Sequence, residues 1–401
     1  MLLLKVLFWL GILTIVYSYA GYGLLVWFVL KAKNIFGGAH TKIAPPTSTA
    51  DFPAVTLIIA AYNEEDFIRQ KIDNTLSLEY PKDKLQIIFI TDGSSDATPR
   101  LASGYDQITV MHRPERKGKV AAMHRAMQQV TTPIVIFSDA NTLLNKESIY
   151  NIARHYQDPK TGGVAGEKKI METSNGKVAG IGEGLYWKYE SFLKKMDAEL
   201  YTVVGAAGEL FSIRTGLYEP VGDNVLLDDF VISLRVCQKG YRVHYEPEAF
   251  AMETPSASLK DERKRKIRIS AGAFQSMGML VALLNIFKYP VLSFQYISHR
   301  VLRWTLCPLF LPVVFIVNLL LVLNGGGLLY QLIFAGQTLF YIAAMAGWLL
   351  ANRNVRSKLL YVPYYFFFLN FSLYQGFFRH LKGRQSVLWD KARRETPTPA
   401  Q

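Results

Sequence analysis

The distribution of charge along the chain limits its architecture more than any other feature. Residues 6–30 contain no charged side chain, apolar residues dominate again from 304 to 378, and charged residues gather in between. About 20 consecutive apolar residues suffice to cross the hydrocarbon of a bilayer as a helix. The first segment is long enough, and Lys31 and Lys33 close it. A cleaved leader is the competing reading, disfavoured because the stretch exceeds an h-region and has no A-x-A site. A soluble middle between membrane segments is therefore expected. The divisions are a membrane helix over 1–33, a linker over 34–52, an α/β domain over 53–258, interfacial helices over 259–300, membrane segments over 301–381 and a basic tail over 382–401.

With 401 residues the chain can hold one sizeable core plus these segments. Lys and Arg number 45 against 32 Asp and Glu, a formal charge of +13. A nucleic-acid partner is not expected, because no zinc-finger spacing, helix-turn-helix pattern or RNA-binding aromatic motif accompanies that charge. Much of the excess flanks apolar segments, where cytoplasmic-side Lys and Arg normally sit. Cys237 and Cys307 are too few for a disulfide framework or zinc site and read as buried thiols.

After a Pro/Thr/Ser-rich stretch at 41–53, β-rich runs at 55–61, 85–91, 108–112, 133–138 and 241–245 alternate with helical patterns at 64–76, 118–130 and 146–156. That alternation is the signature of βαβ units. In such open sheets ligands bind beyond the carboxyl ends of the strands, so polar residues just after each run are the candidates.

Beyond Lys260 the chain becomes strongly cationic and then amphipathic through 271–284, the pattern of a helix lying on the inner membrane surface. Two spans are expected at 304–323 and 328–350, and a third apolar segment covers 359–378. With Lys31 and Lys33 inside, the charge rule makes the middle cytosolic and the chain a multi-pass protein of the cell's inner membrane. The third segment should then export a C-terminus that carries Arg379, Lys382, Arg384, Lys391, Arg393 and Arg394. Either it is re-entrant or interfacial, which the basic tail favours, or the tail lies outside.

Four polar stations follow the strand-like runs: Ala61-Tyr62-Asn63-Glu64, Asp92, Asp139-Ala140-Asn141 and Asp228-Asp229. Alone, each reads as a turn or a helix N-cap. Together, in this order and spacing, they resemble the membrane-bound family-2 glycosyltransferases with the GT-A fold, the branch of the cellulose, hyaluronan and poly-N-acetylglucosamine synthases. The resemblance covers 53 to about 276. It implies a cytosolic Rossmann-like mixed α/β sheet with transmembrane and interfacial helices. It assigns Ala61, Asn63, Glu64, Asp92 and Lys119 to the nucleotide pocket, with Asp92 on uracil. Asp139 and Asn141 stand at the D-x-D station for Mg²⁺ or Mn²⁺ and diphosphate, and Arg268 at the arginine of Q-x-x-R-W. Asp229 stands at the general base of T-E-D, with Gly208, Glu209 and Asp228 on the acceptor side.

Elementary chemistry points the same way. Hard oxygen ligands with a divalent cation are the usual way to hold a sugar diphosphate, and Asp139 offers one. The amides of a helix opened by Gly118, with Lys119, add positive potential; the alternative for Lys119 is a solvated helix end. Adjacent carboxylates at Asp228 and Asp229 raise each other's proton affinity, which suits a base, although either can cap the helix expected over 230–238. The glycines of 205–211 allow a sugar close to the backbone, or serve packing alone.

Departures from the family pattern are specific. Arg265 replaces the glutamine of Q-x-x-R-W and Ile269 its tryptophan, D-x-D has become D-A-N, and T-E-D has become L-D-D. An aromatic face is what stacks on a terminal sugar, so Ile269 weighs against a processive polymerase. The expectation is an inverting transferase moving a sugar from a nucleotide-sugar, UDP-sugar above all, to a saccharide or lipid-linked acceptor for cell-surface polysaccharide. A synthase secreting its polymer past Pro308, Pro312, Asn318, Gln331 and Gln337 is the alternative, ordinary helix packing being the plainer role for those residues. A catalytically dead membrane scaffold is the third class, disfavoured by the survival of Asp92, Asp139 and Asp229.

Overall fold

The computed structural model describes residues 1–37, 52–171, 178–256, 258–353, 355, 357–383 and 386–388. Most of the expected linker, and Arg356, Arg384, Lys391, Arg393 and Arg394 of the basic segments, lie outside these residues.

The uncharged N-terminal stretch forms α1 (Leu2–Val16) and α2 (Tyr22–Ile35), joined through a π-helical turn at Tyr17–Gly21 into one helix. A helix bonds its own amides, the condition for crossing lipid. Its first half packs Phe8 against Val314, Val317, Leu321 and Tyr330. Its second half packs Tyr22, Val26 and Leu30 against Leu193 and Met196.

The middle is built on β1 (Val55–Ala61), α3 (Ile68–Leu76), β2 (Leu85–Asp92), α4 (Thr98–Ala102), β3 (Thr109–Arg113), α5 (Lys119–Met127) and β4 (Ile134–Asp139). Strands β3, β2, β1 and β4 run parallel, with Val55 level with Leu85 on one side and Ile134 on the other. Every residue of β1 is buried. Alternate side chains face two cores, Ile58 and Ala60 into one and Leu57 and Ile59 into the other. Covering both faces is what permits an unbroken apolar run in a parallel sheet.

The second half departs from the βαβ expectation. It comprises β5 (Thr142–Leu144), α6 (Ser148–Ala153), β6 (Thr161–Ile170), α7 (Val178–Leu200), β7 (Leu210–Arg214), α8 (Asp228–Gln238) and β8 (Arg242–Glu253). The eight strands lie in the order β3-β2-β1-β4-β7-β6-β8-β5, with β7 antiparallel to both neighbours and β5 antiparallel to β8. The run at 241–245 is only the start of β8, and β6 opens with Thr-Gly-Gly, which reads as a loop. Those glycines answer to packing: a Cβ on Gly162 would come within 2.5 Å of Tyr241, and one on Gly163 within 2.8 Å of the Ser212 carbonyl.

After β8 come α9 (Leu259–Met279), α10 (Pro290–Tyr296), α11 (Leu302–Trp304), α12 (Leu306–Leu323), α13 (Leu328–Asn352) and α14 (Lys358–Leu381). Among the described residues, three helices are long and apolar enough to cross a membrane: Leu2–Ile35, Leu306–Leu323 and Leu328–Asn352. Helix α14 is continuous and lies along α9, where a Cβ on Gly376 would meet Ser270 at 2.4 Å and the Tyr365 hydroxyl donates to Glu262 at 3.2 Å. Asn318 donates to Gln337 at 2.8 Å, so these two polar residues join α12 to α13. Cys237 and Cys307 are buried free thiols.

A buried ionic knot joins α7 to the turn before α12. Glu190, 1% exposed, accepts from Arg300 and Arg303 at 2.8 Å each, and burial notwithstanding these guanidiniums hold its carboxyl well below the usual range. Removing one partner of such a cluster leaves uncompensated buried charge, at a cost of about 3–5 kcal/mol. Glu190→Gln is therefore expected to lower the melting temperature of the detergent-solubilised protein markedly; an unchanged melting curve would refute this account of the knot.

Candidate active site

The parallel strands deliver their carboxyl ends to one edge of the sheet, and a cavity of about 1170 Å³ opens there. Asp139 is the last residue of β4, and the following turn is closed by the Thr142 hydroxyl donating to the Asp139 carbonyl at 2.9 Å. Beneath it lies Lys71, fully buried on α3, whose Nζ donates to Ser138 Oγ at 2.9 Å and to the Thr142 carbonyl at 2.8 Å. Burial pushes this ammonium down to about 7. Its signal in the sequence is a lysine on the same helix face as Ile68, Ile72 and Thr75.

Lys119, at the start of α5, donates to Asp139 Oδ1 at 2.5 Å. Burial raises the Asp139 carboxyl above its ordinary value against the pull of Lys119. Gly118 immediately before it has φ +100°, a conformation that favours glycine. Asn141 donates from Nδ2 to Glu253 Oε1 at 3.4 Å, which leaves its carbonyl oxygen as the atom suited to a cation.

Asp228 and Asp229 form the first turn of α8. Asp229 is pushed up to about 7, first by burial and then by Asp228, against the opposing charge of Lys119. Asp228 is buried, and its Oδ2 has no hydrogen-bond partner among the described residues. Gly208 separates this pair from the Lys119–Asp139 pair: a Cβ there would stand 3.2 Å from Lys119 Nζ and 3.4 Å from Asp229 Oδ2. Asp139 and Asp229 thus face one shared cavity. Glu209 also lines it, but its Oε1 accepts from Lys168 at 2.5 Å; burial opposes ionisation, yet Lys168 holds the Glu209 carboxyl down to about 2. Glu64, Asn141 and Arg268 complete the sequence-predicted residues on the wall.

Three others stand behind it. Ala61 is buried at the end of β1, between Ala60 and Tyr62, which do line the cavity. Asn63, at φ 52°, accepts from the Ser95 amide at 2.8 Å and its own amide donates to Ser94 Oγ at 3.1 Å, pinning the loop after β1 to the loop after β2. Asp92 is buried and accepts the amides of Lys117 at 2.7 Å and Gly118 at 2.8 Å, so it fixes the loop that presents Lys119. Sequence reasoning missed Lys71, Lys168 and the aromatic residues Tyr186, Trp187 and Trp304 on the wall. Ser386, Val387 and Leu388 also reach the cavity, with the Val387 carbonyl 3.5 Å from where a Cβ on Gly118 would lie.

The profile described as Glycosyl transferase family 2 matches residues 56–222, the span that supplies Asp139, Lys119 and Gly208. Residues 56–222 therefore match a family-2 glycosyltransferase domain. The chain is 27% identical over 243 residues to the poly-β-1,6-N-acetyl-D-glucosamine synthase of Staphylococcus aureus strain MSSA476, covering 58% of this chain and 57% of that protein. It is 26% identical over 244 residues to the probable glycosyltransferase YdaM of Bacillus subtilis strain 168, covering 55% and 56%. The match thus spans little more than half the length of these curated relatives. Among solved structures, the mannosyltransferase PcManGT from Pyrobaculum calidifontis, in complex with GDP-Man and Mn²⁺, shares the fold at a TM-score of 0.70 and 22% identity, over 94% of this chain and 100% of that one. The α/β sheet and the apolar helices therefore share one known GT-A-like architecture.

The donor set fits a divalent cation held jointly with a diphosphate. Among the described residues no three His, Cys, Asp or Glu side chains cluster to enclose an ion. Magnesium-like cations, however, commonly take one or two protein oxygens and complete their shell with substrate phosphates and water. Asp139 and the Asn141 carbonyl provide such a pair on the cavity wall.

Proposed function

We propose that this glycosyltransferase moves a sugar from a nucleotide-sugar to a saccharide or lipid-linked acceptor at the membrane, with inversion at the anomeric carbon, in cell-surface polysaccharide synthesis. The observation that carries this reading is the placement of Asp229 opposite the Lys119–Asp139 pair across Gly208 in one cavity. In-line displacement needs a base on one side of the sugar and leaving-group stabilisation on the other. Asp229, with a proton affinity near neutrality, takes the acceptor hydroxyl proton. Lys119 and Arg268 bring positive charge to the departing diphosphate. Asp139 and Asn141 would hold Mg²⁺ or Mn²⁺, which supplies Lewis-acid stabilisation when bound. Asp92 and Asn63 shape the nucleotide side by fixing its loops, and Glu64 borders it. The curated synthase relatives favour a UDP-N-acetylhexosamine donor and the solved mannosyltransferase favours GDP-Man, so both belong in the assay.

The same cavity supports a membrane topology. Trp304, just before α12, and Ser386–Leu388, just after α14, both line it. The catalytic side therefore receives the start of α12, the C-terminal end of α14 and, through the packing of Leu30 on α7, the end of α2. Three crossings, α1–α2, α12 and α13, with α14 remaining on the cytosolic side, satisfy the basic tail without a fourth span.

The test is purified full-length protein in detergent, offered UDP- and GDP-sugars with Mn²⁺ or Mg²⁺ and oligosaccharide or lipid-linked primers. Nucleotide release, product length and anomeric configuration are read. Retained configuration would overturn the single displacement. No release with any donor and metal would overturn the enzymatic reading, and long polymer would make the protein a synthase. The pH profile adds a sharper expectation. The active base is ionised, so kcat should fall as pH drops through about 7. Asp228→Asn removes the like charge and lowers the proton affinity of Asp229, so the acid limb should move to lower pH. A limb that stays in place would exclude coupling of these carboxylates.

A further inference from the structure

Strand β4 ends at Asp139 and β5 begins at Thr142, so Ala140 and Asn141 alone carry the chain from its pairing with β1 and β7 to its pairing with β8. Two side chains on α3 hold both ends of that passage. Lys71 Nζ donates to Ser138 Oγ at 2.9 Å before the turn and to the Thr142 carbonyl at 2.8 Å after it, with the Thr142 hydroxyl 3.4 Å away. That hydroxyl donates in turn to the Asp139 carbonyl at 2.9 Å. Asn74 makes a reciprocal pair with Leu144, its Nδ2 donating to the Leu144 carbonyl and its Oδ1 accepting from the Leu144 amide, each at 2.8 Å. Residues three apart are neighbours on a helix surface. Lys71 and Asn74 thus fasten one side of α3 to the segment that presents Asp139 and Asn141 to the cavity.

We propose that Lys71 is a positioning residue for the divalent cation, acting through the turn at 139–142 without touching the ion or the nucleotide. Lys71 is 0% exposed and does not itself line the cavity. Burying an amine is unfavourable unless its hydrogens find acceptors, and an apolar side chain of the same length would satisfy packing alone. What such a side chain lacks is donors that bridge Ser138 to Thr142. The Asp139 carboxylate and the Asn141 carbonyl must converge on one ion, and ligands of this kind serve only when held to within about 0.5 Å of the productive geometry. With the bridge gone both ligands remain, but the turn that sets their separation is tied only through the Thr142 hydroxyl and Asn74. The role rests on the reading of Asp139 and Asn141 as the residues that hold the cation.

The test is Mn²⁺ uptake without acceptor or sugar donor, so no turnover enters. Full-length protein in detergent is titrated with Mn²⁺ in the presence of UDP or GDP, and the free ion is read by its electron paramagnetic resonance signal. Lys71→Met should weaken Mn²⁺ binding about tenfold or more, the loss usual for a partner that orients metal ligands, while nucleotide affinity in EDTA stays within about twofold of the parent. Lys71→Gln keeps an N–H donor and should return Mn²⁺ affinity to within about threefold. Glu246→Gln is the control for general loosening: it breaks a buried pair with Arg154 and His155 away from the cavity, so it should lower the melting temperature and leave Mn²⁺ affinity within about twofold. Melting curves identify any variant that fails to fold, and Thr142→Val, which removes the hydroxyl on Asp139, then takes the place of Lys71→Met with a threefold or greater loss expected. Parent-like Mn²⁺ affinity in folded Lys71→Met, or an equal loss in Glu246→Gln, would overturn the positioning role and leave the cation reading standing. A parent protein that takes up no Mn²⁺ with either nucleotide would overturn the cation reading and this role with it.

Discussion

Asp229→Asn is expected to reduce acceptor-dependent nucleotide release by at least about a thousandfold, within the range that a positioned general base supplies, while nucleotide affinity changes by no more than about threefold. The substitution is nearly isosteric and keeps a hydrogen-bonding group at the first turn of α8, so the helix and the wall beneath it persist. What disappears is a carboxylate whose proton affinity burial and Asp228 bring up to about 7, suited to accept a hydroxyl proton near neutrality. Asp228→Asn is the informative comparison. It removes the neighbouring charge without removing the base, and a loss of no more than about tenfold is expected there, of the size of one lost charge-assisted hydrogen bond. The measurement is single-turnover nucleotide release with saturating donor, paired with calorimetric nucleotide binding. Turnover of Asp229→Asn within tenfold of the parent would remove Asp229 from the chemistry and point to Asp228 instead.

Parts of this site were legible in the sequence for physical reasons. Runs such as Leu57-Ile58-Ile59 at β1 and Ile134-Val135-Ile136 at β4 are apolar because both faces of the parallel sheet are covered, and that pattern survives in a one-dimensional reading. Strands of this kind also announce where their carboxyl ends lie, so Asp139 stands out by position alone. The antiparallel half was harder. Strand β6 mixes Gly162, Gly163, Glu167, Lys168 and Lys169 because it packs closely on neighbours and carries a buried ion pair, both set by distant chain. Asp92 shows the limit of reading by motif. Its order along the chain marks it as a site residue, whereas its contacts make it the brace of the Lys117–Gly118 turn. Lys71 shows only as a lysine on an apolar helix face, and neither it nor Trp304 stands out as a site residue, since a lysine in a helix and a tryptophan before an apolar helix have commoner explanations.

Asp139→Asn separates two roles that the structure superimposes on one carboxylate. As it stands, Asp139 neutralises Lys119 at 2.5 Å, and in the proposed reaction the same oxygens meet a divalent cation. The side chains of Lys119 and Asp139 are 22% and 29% exposed, so cavity water screens the pair and its rupture should cost the fold little. Function should suffer far more. With donor and metal present, kcat/KM is expected to fall by at least about a hundredfold, since a lost Lewis-acid contact is worth several kcal/mol of transition-state stabilisation. Nucleotide-sugar affinity should also lose most of its dependence on Mn²⁺. Lys119→Met provides the other half of the argument. It frees Asp139 from its ion pair but removes positive charge from the diphosphate side, so it should weaken nucleotide binding while preserving the Mn²⁺ dependence. Calorimetric titration of nucleotide at several Mn²⁺ concentrations distinguishes the two. If Asp139→Asn keeps the parent's metal dependence with the same midpoint, the cation is held elsewhere. Asp139 would then serve to position Lys119, and leaving-group stabilisation would fall to Lys119 and Arg268.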